Sequence, residues 1–155
     1  MLDVAQAGVT VTAEGEGEVL DVFGAAMVVK QEPALAGLFL GEHRVPPGYV
    51  VPPHVHAEDH ESFLILEGEL TLLSPEGERR ARPGDAVALP RGSCHGFRND
   101  GAAPVRFLVA ATPGHQALAM FRAFDAAGSS AGPGGLVPAE IIAICAAHGV
   151  RVVVG

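Results

Sequence analysis

His54, His56, Glu61 and His95 are the residues of this chain whose types and spacing can do chemistry. Three imidazoles and one carboxylate form a donor set of intermediate hardness, suited to one divalent transition metal (Fe, Mn, Co, Ni, Cu or Zn) better than to Mg or Ca. Side chains two apart on a strand point the same way, with Cα atoms roughly 6.6 Å apart. His54 and His56 therefore form a pincer on one face, and Val55 faces the other. Glu61 lies at an odd offset from His56, which a continuous strand would put on the wrong face. The chain must turn within Ala57–His60, and Glu61 must open the returning strand. There Glu61, Phe63 and Ile65 share one face, and Ser62, Leu64 and Leu66 the other. On a third strand His95 and Phe97 face together. The expected inner wall is thus the four polar ligands with an apolar lining of Phe63, Ile65 and Phe97.

Positioning these groups takes many short strands. Runs rich in Val, Leu, Ile and Phe recur between Gly, Pro and Asp at Val9–Ala13, Val19–Phe23, Ala26–Lys30, Leu35–Val45, Glu61–Leu66, Leu70–Leu73, Ala86–Leu89, His95–Asn99 and Val105–Ala111. That rhythm predicts an all-β barrel or sandwich. Pro46-Pro47-Gly48, Glu67-Gly68, Pro75-Glu76-Gly77, Pro83-Gly84-Asp85 and Asp100-Gly101 supply the reversals. Pro52 and Pro53 stiffen the approach to His54, and Gly92 lets the loop before His95 bend.

The pattern then becomes helical. His115 to Ala127 carries Leu118, Met120, Phe121 and Phe124 at helical spacing, and Gly128 is the expected stop. A small-residue linker, Gly128 to Gly135, leads to a second helix opened by Pro138 and closed by Gly149. Val150–Val154 is expected to return as an edge strand. The domain reading is a β-barrel over 1–112 and a helical tail over 113–155. Met120, Phe121 and Phe124 either pack that tail on the barrel or close its mouth as part of a substrate pocket. His43, His115 and His148 are read as surface or tail histidines, and Cys94 and Cys145 as packing residues. Arg79, Arg80 and Arg82 read as a solvated hairpin tip.

Composition narrows the partners. At 155 residues and a formal net charge of −8, the chain lacks the broad positive surface that nucleic acid requires. Ile141–Ala147 is too short an apolar run to span a bilayer. Met1-Leu2-Asp3-Val4 has no basic stretch leading into an apolar run, so a cytoplasmic protein is expected. Apolar content of 48% is high for a lone small domain and points to a homodimer.

Two spacings carry a family resemblance. Gly48-x5-His54-x-His56-x4-Glu61-x6-Gly68 resembles the first signature of the cupin superfamily, and Gly84-x5-Pro90-x-Gly92-x2-His95-x3-Asn99 resembles the second. The resemblance implies a double-stranded β-helix (jelly roll) with His54, His56, Glu61 and His95 as metal ligands. Residues 56–70 and the helical tail are similar to monocupins of the quercetin (flavonol) dioxygenase type, and to small cupins of aromatic polyketide pathways. His60 stands where the dioxygenase-like group often has an acidic residue, and parity turns it away from the metal.

The function expected is a metal-dependent dioxygenase acting on a phenolic or enolic, flavonol-like small molecule with dioxygen. Glu61 serves as ligand alone, or as ligand and base for a substrate hydroxyl. The alternatives are a polyketide cyclase or isomerase, and a non-catalytic module that binds metal or a small ligand. One barrel hosts many chemistries.

Overall fold

In the computed structural model, which describes residues 8–153, the strand rhythm resolves into two antiparallel sheets. Along the chain come β1 (Glu18–Val22), β2 (Ala25–Gln31), a short helix α1 (Pro33–Ala36), β3 (Phe39–Val45), β4 (Val50–His56) and β5 (His60–Glu67). They are followed by β6 (Leu70–Ser74), β7 (Gly77–Ala81), β8 (Ala86–Leu89), β9 (Cys94–Arg98) and β10 (Val105–Thr112). The tail comprises α2 (His115–Ser130), α3 (Pro138–Ala147) and β11 (Val150–Val152). Met1–Val4 and Val154 lie outside the described residues.

The six-stranded sheet runs β1-β2-β3-β10-β5-β8 and the five-stranded sheet β11-β4-β9-β6-β7. From β3 to β6 the chain changes sheet at every connection, as it does again from β7 to β10. This is an all-β double-stranded β-helix. Alternation buries one face of each strand: along β5, Glu61, Phe63 and Ile65 are buried while Ser62 and Leu64 are exposed. Between the layers Phe63, Phe97 and Phe107 meet with ring centroids 4.9–5.7 Å apart in tilted or edge-to-face contacts, the arrangement that aromatic quadrupoles favour.

The tail closes one side. α2 packs on β1 and β3, and α3 on α2 and β11. β11 pairs along the free edge of β4, with Val150 opposite His56 and Val152 opposite His54. Ionic contacts strap α2 down: Arg122 bonds Glu18 at 2.8 Å, and Asp125 Oδ1 accepts from the Asp21 N–H at 2.8 Å.

Asp59, in the turn between β4 and β5, makes the decisive link. Its carboxylate is 1% exposed and accepts the N–H groups of Gly114 at 2.7 Å and Ala117 at 3.0 Å. These are orphan donors of the α2 amino terminus, where the helix dipole also favours an anion. Gly114 is required there, because it has φ 88° and a Cβ would meet Ala111 O at 2.6 Å and Phe39 N at 2.7 Å.

Several local expectations are corrected. Val9–Ala13 forms no strand; Val9 and Val11 are 97% and 83% exposed and find no pairing partner. The expected run Leu35–Val45 divides, with Leu35 in α1 and β3 starting at Phe39, because Pro33 opens a helical turn that Gly37 closes with φ 77°. Residues 77–81, polar except for Gly77 and the buried Ala81, form β7 against β6 rather than only a hairpin tip. Arg80 and Arg82 flank Glu69 at 3.5 and 2.9 Å. Gly128 does not stop α2, which runs on to Ser130 with right-handed geometry; the Ser129 and Ser130 hydroxyls bond back to the carbonyls of Asp125 and Ala126. Among the described residues no helix is long and apolar enough to cross a membrane.

Asp59→Ala removes two charge-assisted hydrogen bonds and should lower unfolding free energy by about 3 kcal/mol in urea titrations, with Asp59→Asn recovering about half. Equal stability of the three proteins would show that the turn and the helix are not coupled through this side chain.

Candidate metal centre and its cavity

His54 reaches the site through a distortion. Pro52 and Pro53 cannot donate to a strand ladder, and the register between β4 and β9 shifts between Val51 and His54. Gly96 allows the close approach, since a Cβ there would stand 2.5 Å from Val51 O and 2.8 Å from Pro53 N. Beyond the bulge His54 pairs directly with His95 across the strands, ring centroids 4.5 Å apart. The Gly92 N–H donates to the His56 carbonyl at 2.9 Å, tying the loop before β9 to the histidine pair. Glu61 comes from β5 in the opposing sheet.

The four side chains converge. One donor atom from each of His54, His56, Glu61 and His95 lies within 4.8 Å of the others. Nε2 of His54 and His56 are 3.1 Å apart, and Oε2 of Glu61 is 3.3 Å from His56 Nε2 and 3.2 Å from His95 Nε2. All four residues are buried. His54 Nδ1 donates to Pro52 O at 2.8 Å, which leaves Nε2 a bare lone pair aimed at the cluster. Burial, aided by His95 and His56, lowers the His54 imidazole to about 4 and keeps it neutral, against the opposing pull of its backbone hydrogen bond and of Glu61. Burial alone would raise Glu61, but the hydrogen bond with His95 and the surrounding imidazoles outweigh it and bring the carboxyl down to about 2. The site therefore offers a neutral His54 nitrogen and the Glu61 anion.

That donor set fits a divalent transition metal. A proton between two of these atoms satisfies one contact at a time, whereas one cation satisfies all four. Separations of 3.1–3.3 Å match neighbouring ligands on an ion held at about 2.0–2.3 Å. His95 Nδ1 is sealed without a hydrogen-bond partner, so nothing in the described residues draws that ring away from the cluster.

All four residues of the cluster line a cavity of about 70 Å³. Phe63 and Phe97, each two residues beyond a ligand on its strand, line it, as do Met120, Phe121 and Phe124 from α2. Ile65 does not; it is 1% exposed in the core, one strand step too far from Glu61 to reach the cavity. Ile141 and Cys145 of α3 complete that side, and burial pushes the Cys145 thiol up to about 11, so it sits there as a thiol. His60 faces outward as expected and accepts the Arg91 N–H at 3.1 Å. Asn99 is not at the site: its amide donates to Val45 O and Ala103 O, fastening the loop that leads to β10.

Among the cavity residues that sequence reasoning missed are His43, Tyr49 and Phe23. His43, expected at the surface, is 3% exposed and lines the cavity, because β3 alternation turns it inward with Gly41 and Val45. Tyr49 follows a turn glycine and donates its hydroxyl to Val22 O at 2.7 Å. Phe23 occupies a two-residue hairpin turn with φ 35°, where Asn would be the ordinary choice. Its ring stacks on Tyr49 at 5.4 Å and meets Phe124 edge-on at 5.2 Å. A phenylalanine before glycine in a hairpin turn was the readable signal.

Two consequences are measurable. Gly96→Ala drives a methyl into backbone atoms and should abolish stoichiometric metal binding in elemental analysis; full occupancy in that variant would sink the bulge argument. In metal-free protein His43 and His54 are both lowered from 6.5 to about 4, so below pH 6.5 the unfolded chain takes up protons that the folded chain refuses. Glu61 adds to the loss below 4.5. Stability should therefore fall as the solution is acidified, and urea midpoints should drop in order at about pH 7.5, 5.5 and 4.5. A flat profile would contradict the buried neutral imidazoles.

Comparison with known proteins agrees with the geometry. Residues 41–111 match the family described as the Cupin domain. No curated protein shows a significant match to the chain. A sugar phosphate isomerase of the cupin superfamily from Silicibacter pomeroyi is 28% identical, with TM-score 0.54 over 72% of this chain and 74% of that one. The polyketide cyclase RemF from Streptomyces resistomycificus is 29% identical, with TM-score 0.51 over 72% of this chain and 78% of that one. A predicted oxalate decarboxylase from Thermotoga maritima, 20% identical, shares the fold with TM-score 0.58 over 66% of this chain and 97% of that one. Two interleaved sheets, a three-histidine, one-glutamate cluster between them and the match over residues 41–111 together identify a Cupin domain within this chain.

Proposed function

We propose that the protein is an enzyme that uses one divalent transition metal to act on an apolar small molecule bearing a phenolic or enolic oxygen, and that the reaction is a dioxygenation. The observation that carries this reading is that the four-donor cluster lines a cavity otherwise walled mainly by aromatic and aliphatic side chains. No Lys or Arg lines that cavity among the described residues. A sugar phosphate or a dicarboxylate would find no cationic side chain to grip it, which separates this site from the substrates named for two of the similar structures.

A divalent ion at the cluster would supply charge that favours the anionic form of a substrate oxygen, and in a dioxygenation both atoms of dioxygen enter the product without an external reductant. The remaining work falls to the chain. Ionised Glu61 accepts the hydroxyl proton as the substrate binds. Phe63 and Phe97 set the plane of a flat substrate, and Met120, Phe121 and Phe124 keep water out. The cavity volume of about 70 Å³ is below the roughly 150 Å³ that accommodates benzene in a protein core. A ring-bearing substrate therefore enters by outward movement of α2 and α3.

A non-oxidative cyclisation of a polyketide-like enol is the second reading, favoured by the 29% identity to a polyketide cyclase. The composition supports a cytoplasmic homodimer with no nucleic-acid or membrane partner.

Oxygen uptake tests the proposal. Protein reloaded separately with Fe, Mn, Co, Ni, Cu and Zn is expected to consume oxygen with at least one metal on a flavonol, β-diketone or catechol. His95→Ala should lose the metal and the uptake. Glu61→Gln should keep the fold and lose about 100-fold or more in rate if the carboxylate is the base. Anaerobic turnover of a poly-β-ketone would replace dioxygenation by cyclisation, and bound metal without turnover would leave only a binding module.

A further inference from the structure

We infer that His43 is a substrate-binding residue of this cavity, its Nε2 acting as a fixed acceptor for a hydroxyl of the ligand other than the oxygen that meets the metal. The inference rests on the reading that the cavity holds a phenolic or enolic molecule.

The tautomer follows from one contact. His43 Nδ1 lies 3.0 Å from the carbonyl oxygen of Ala26 on the neighbouring strand β2. A carbonyl only accepts, so the hydrogen is on Nδ1. A neutral imidazole carries one such hydrogen, and Nε2 is left a lone-pair acceptor. Burial keeps the ring neutral, overriding the opposing effects of the Ala26 bond and of Glu61.

Packing fixes its direction. The imidazole stands edge-to-face with Phe107 at 5.4 Å, Tyr49 at 6.0 Å and Phe97 at 6.2 Å. All three rings line the cavity. Held at Nδ1 by backbone and on its flanks by these rings, the imidazole cannot swing to another partner. Nε2 makes no hydrogen bond among the described residues, although the residue is 3% exposed and lines the cavity.

No other side chain on the wall offers as strong an acceptor. The Tyr49 hydroxyl spends its hydrogen on Val22 O and keeps only a phenolic oxygen, a weaker acceptor than an imidazole nitrogen, and the Cys145 thiol is a weak partner. Outside the metal cluster, Nε2 of His43 is the strong acceptor left over among the described lining residues. A buried acceptor rejects a ligand that leaves it unpaired far more sharply than an apolar wall rejects an extra group. The site should therefore select molecules with two oxygens, one anionic for the metal and one protonated hydroxyl.

Two substitutions separate the two nitrogens. His43→Asn keeps a donor near the position of Nδ1 and loses Nε2, whereas His43→Gln places an amide where Nε2 stands. The probes are 3-hydroxyflavone, which has only the chelating pair, and kaempferol, which adds further hydroxyls. Binding is titrated by absorbance on zinc-loaded protein, with metal content and circular dichroism checked for each variant. Wild type should prefer kaempferol by at least about tenfold. His43→Asn should reduce that preference to about twofold or less with 3-hydroxyflavone affinity unchanged, and His43→Gln should retain most of it. An unchanged preference in His43→Asn, or equal loss for both probes in both variants, overturns the role of Nε2 while the cavity reading stands. Failure of both flavonols to bind wild type overturns the inference together with the reading it rests on.

Discussion

Four electron-rich atoms, Nε2 of His54, His56 and His95 and Oε2 of Glu61, approach one another inside the protein where water cannot separate them. A proton can bridge one such pair at a time, as between His95 and Glu61; the other contacts, at 3.1 and 3.3 Å, are relieved together only by a cation among them, and the rest of the architecture holds them close. The bulge at Pro52 and Pro53 rotates His54 into line with His95, the missing side chain at Gly96 makes room for it, and β5 in the opposing sheet brings the carboxylate. The Pro52 carbonyl sets which nitrogen of His54 faces inward. Each of these features would be a local fault in an ordinary strand. Together they preorganise a cluster that could hold a metal ion.

The cluster is coupled to the tail. Asp59 sits in the turn joining the strands that carry His56 and Glu61, and it holds the amino terminus of α2. α2 then carries Met120, Phe121 and Phe124 to the cavity, while β11 covers the edge of β4. Ligand positions and cavity closure thus share a carboxylate. A displacement of α2 would be transmitted through Asp59 to the turn between the strands that carry His56 and Glu61.

Much of the site was legible because strand parity is a strong local rule. It placed His54 with His56, turned His60 outward, and aligned Phe63 with Glu61 and Phe97 with His95. It overreached at Ile65, where facing the same way as Glu61 did not mean reaching the same cavity. It failed for Val9–Ala13, whose alternation is that of a strand but which finds no partner strand. Residues 77–81 failed in the opposite sense: the polar stretch Glu78–Arg80, ending on buried Ala81, became β7 because β6 offered it an edge.

The types of the clustered residues, their faces and an all-β barrel or sandwich were determined by residue order, since alternation and turn chemistry act over a few residues; the double-stranded β-helix itself was implied by the resemblance of the two spacings. The bulge register, the inward turn of His43, the Asp59 bond to α2 and the closure of the cavity were decided only in three dimensions. Each depends on which strand lies beside or across from another, and partners as far apart as Asp59 and Ala117 leave no local trace in the chain. His43 shows the difference most plainly: between a glutamate and an arginine it reads as a surface histidine, and only the carbonyl of Ala26 and three surrounding aromatic rings give it a tautomer and a direction.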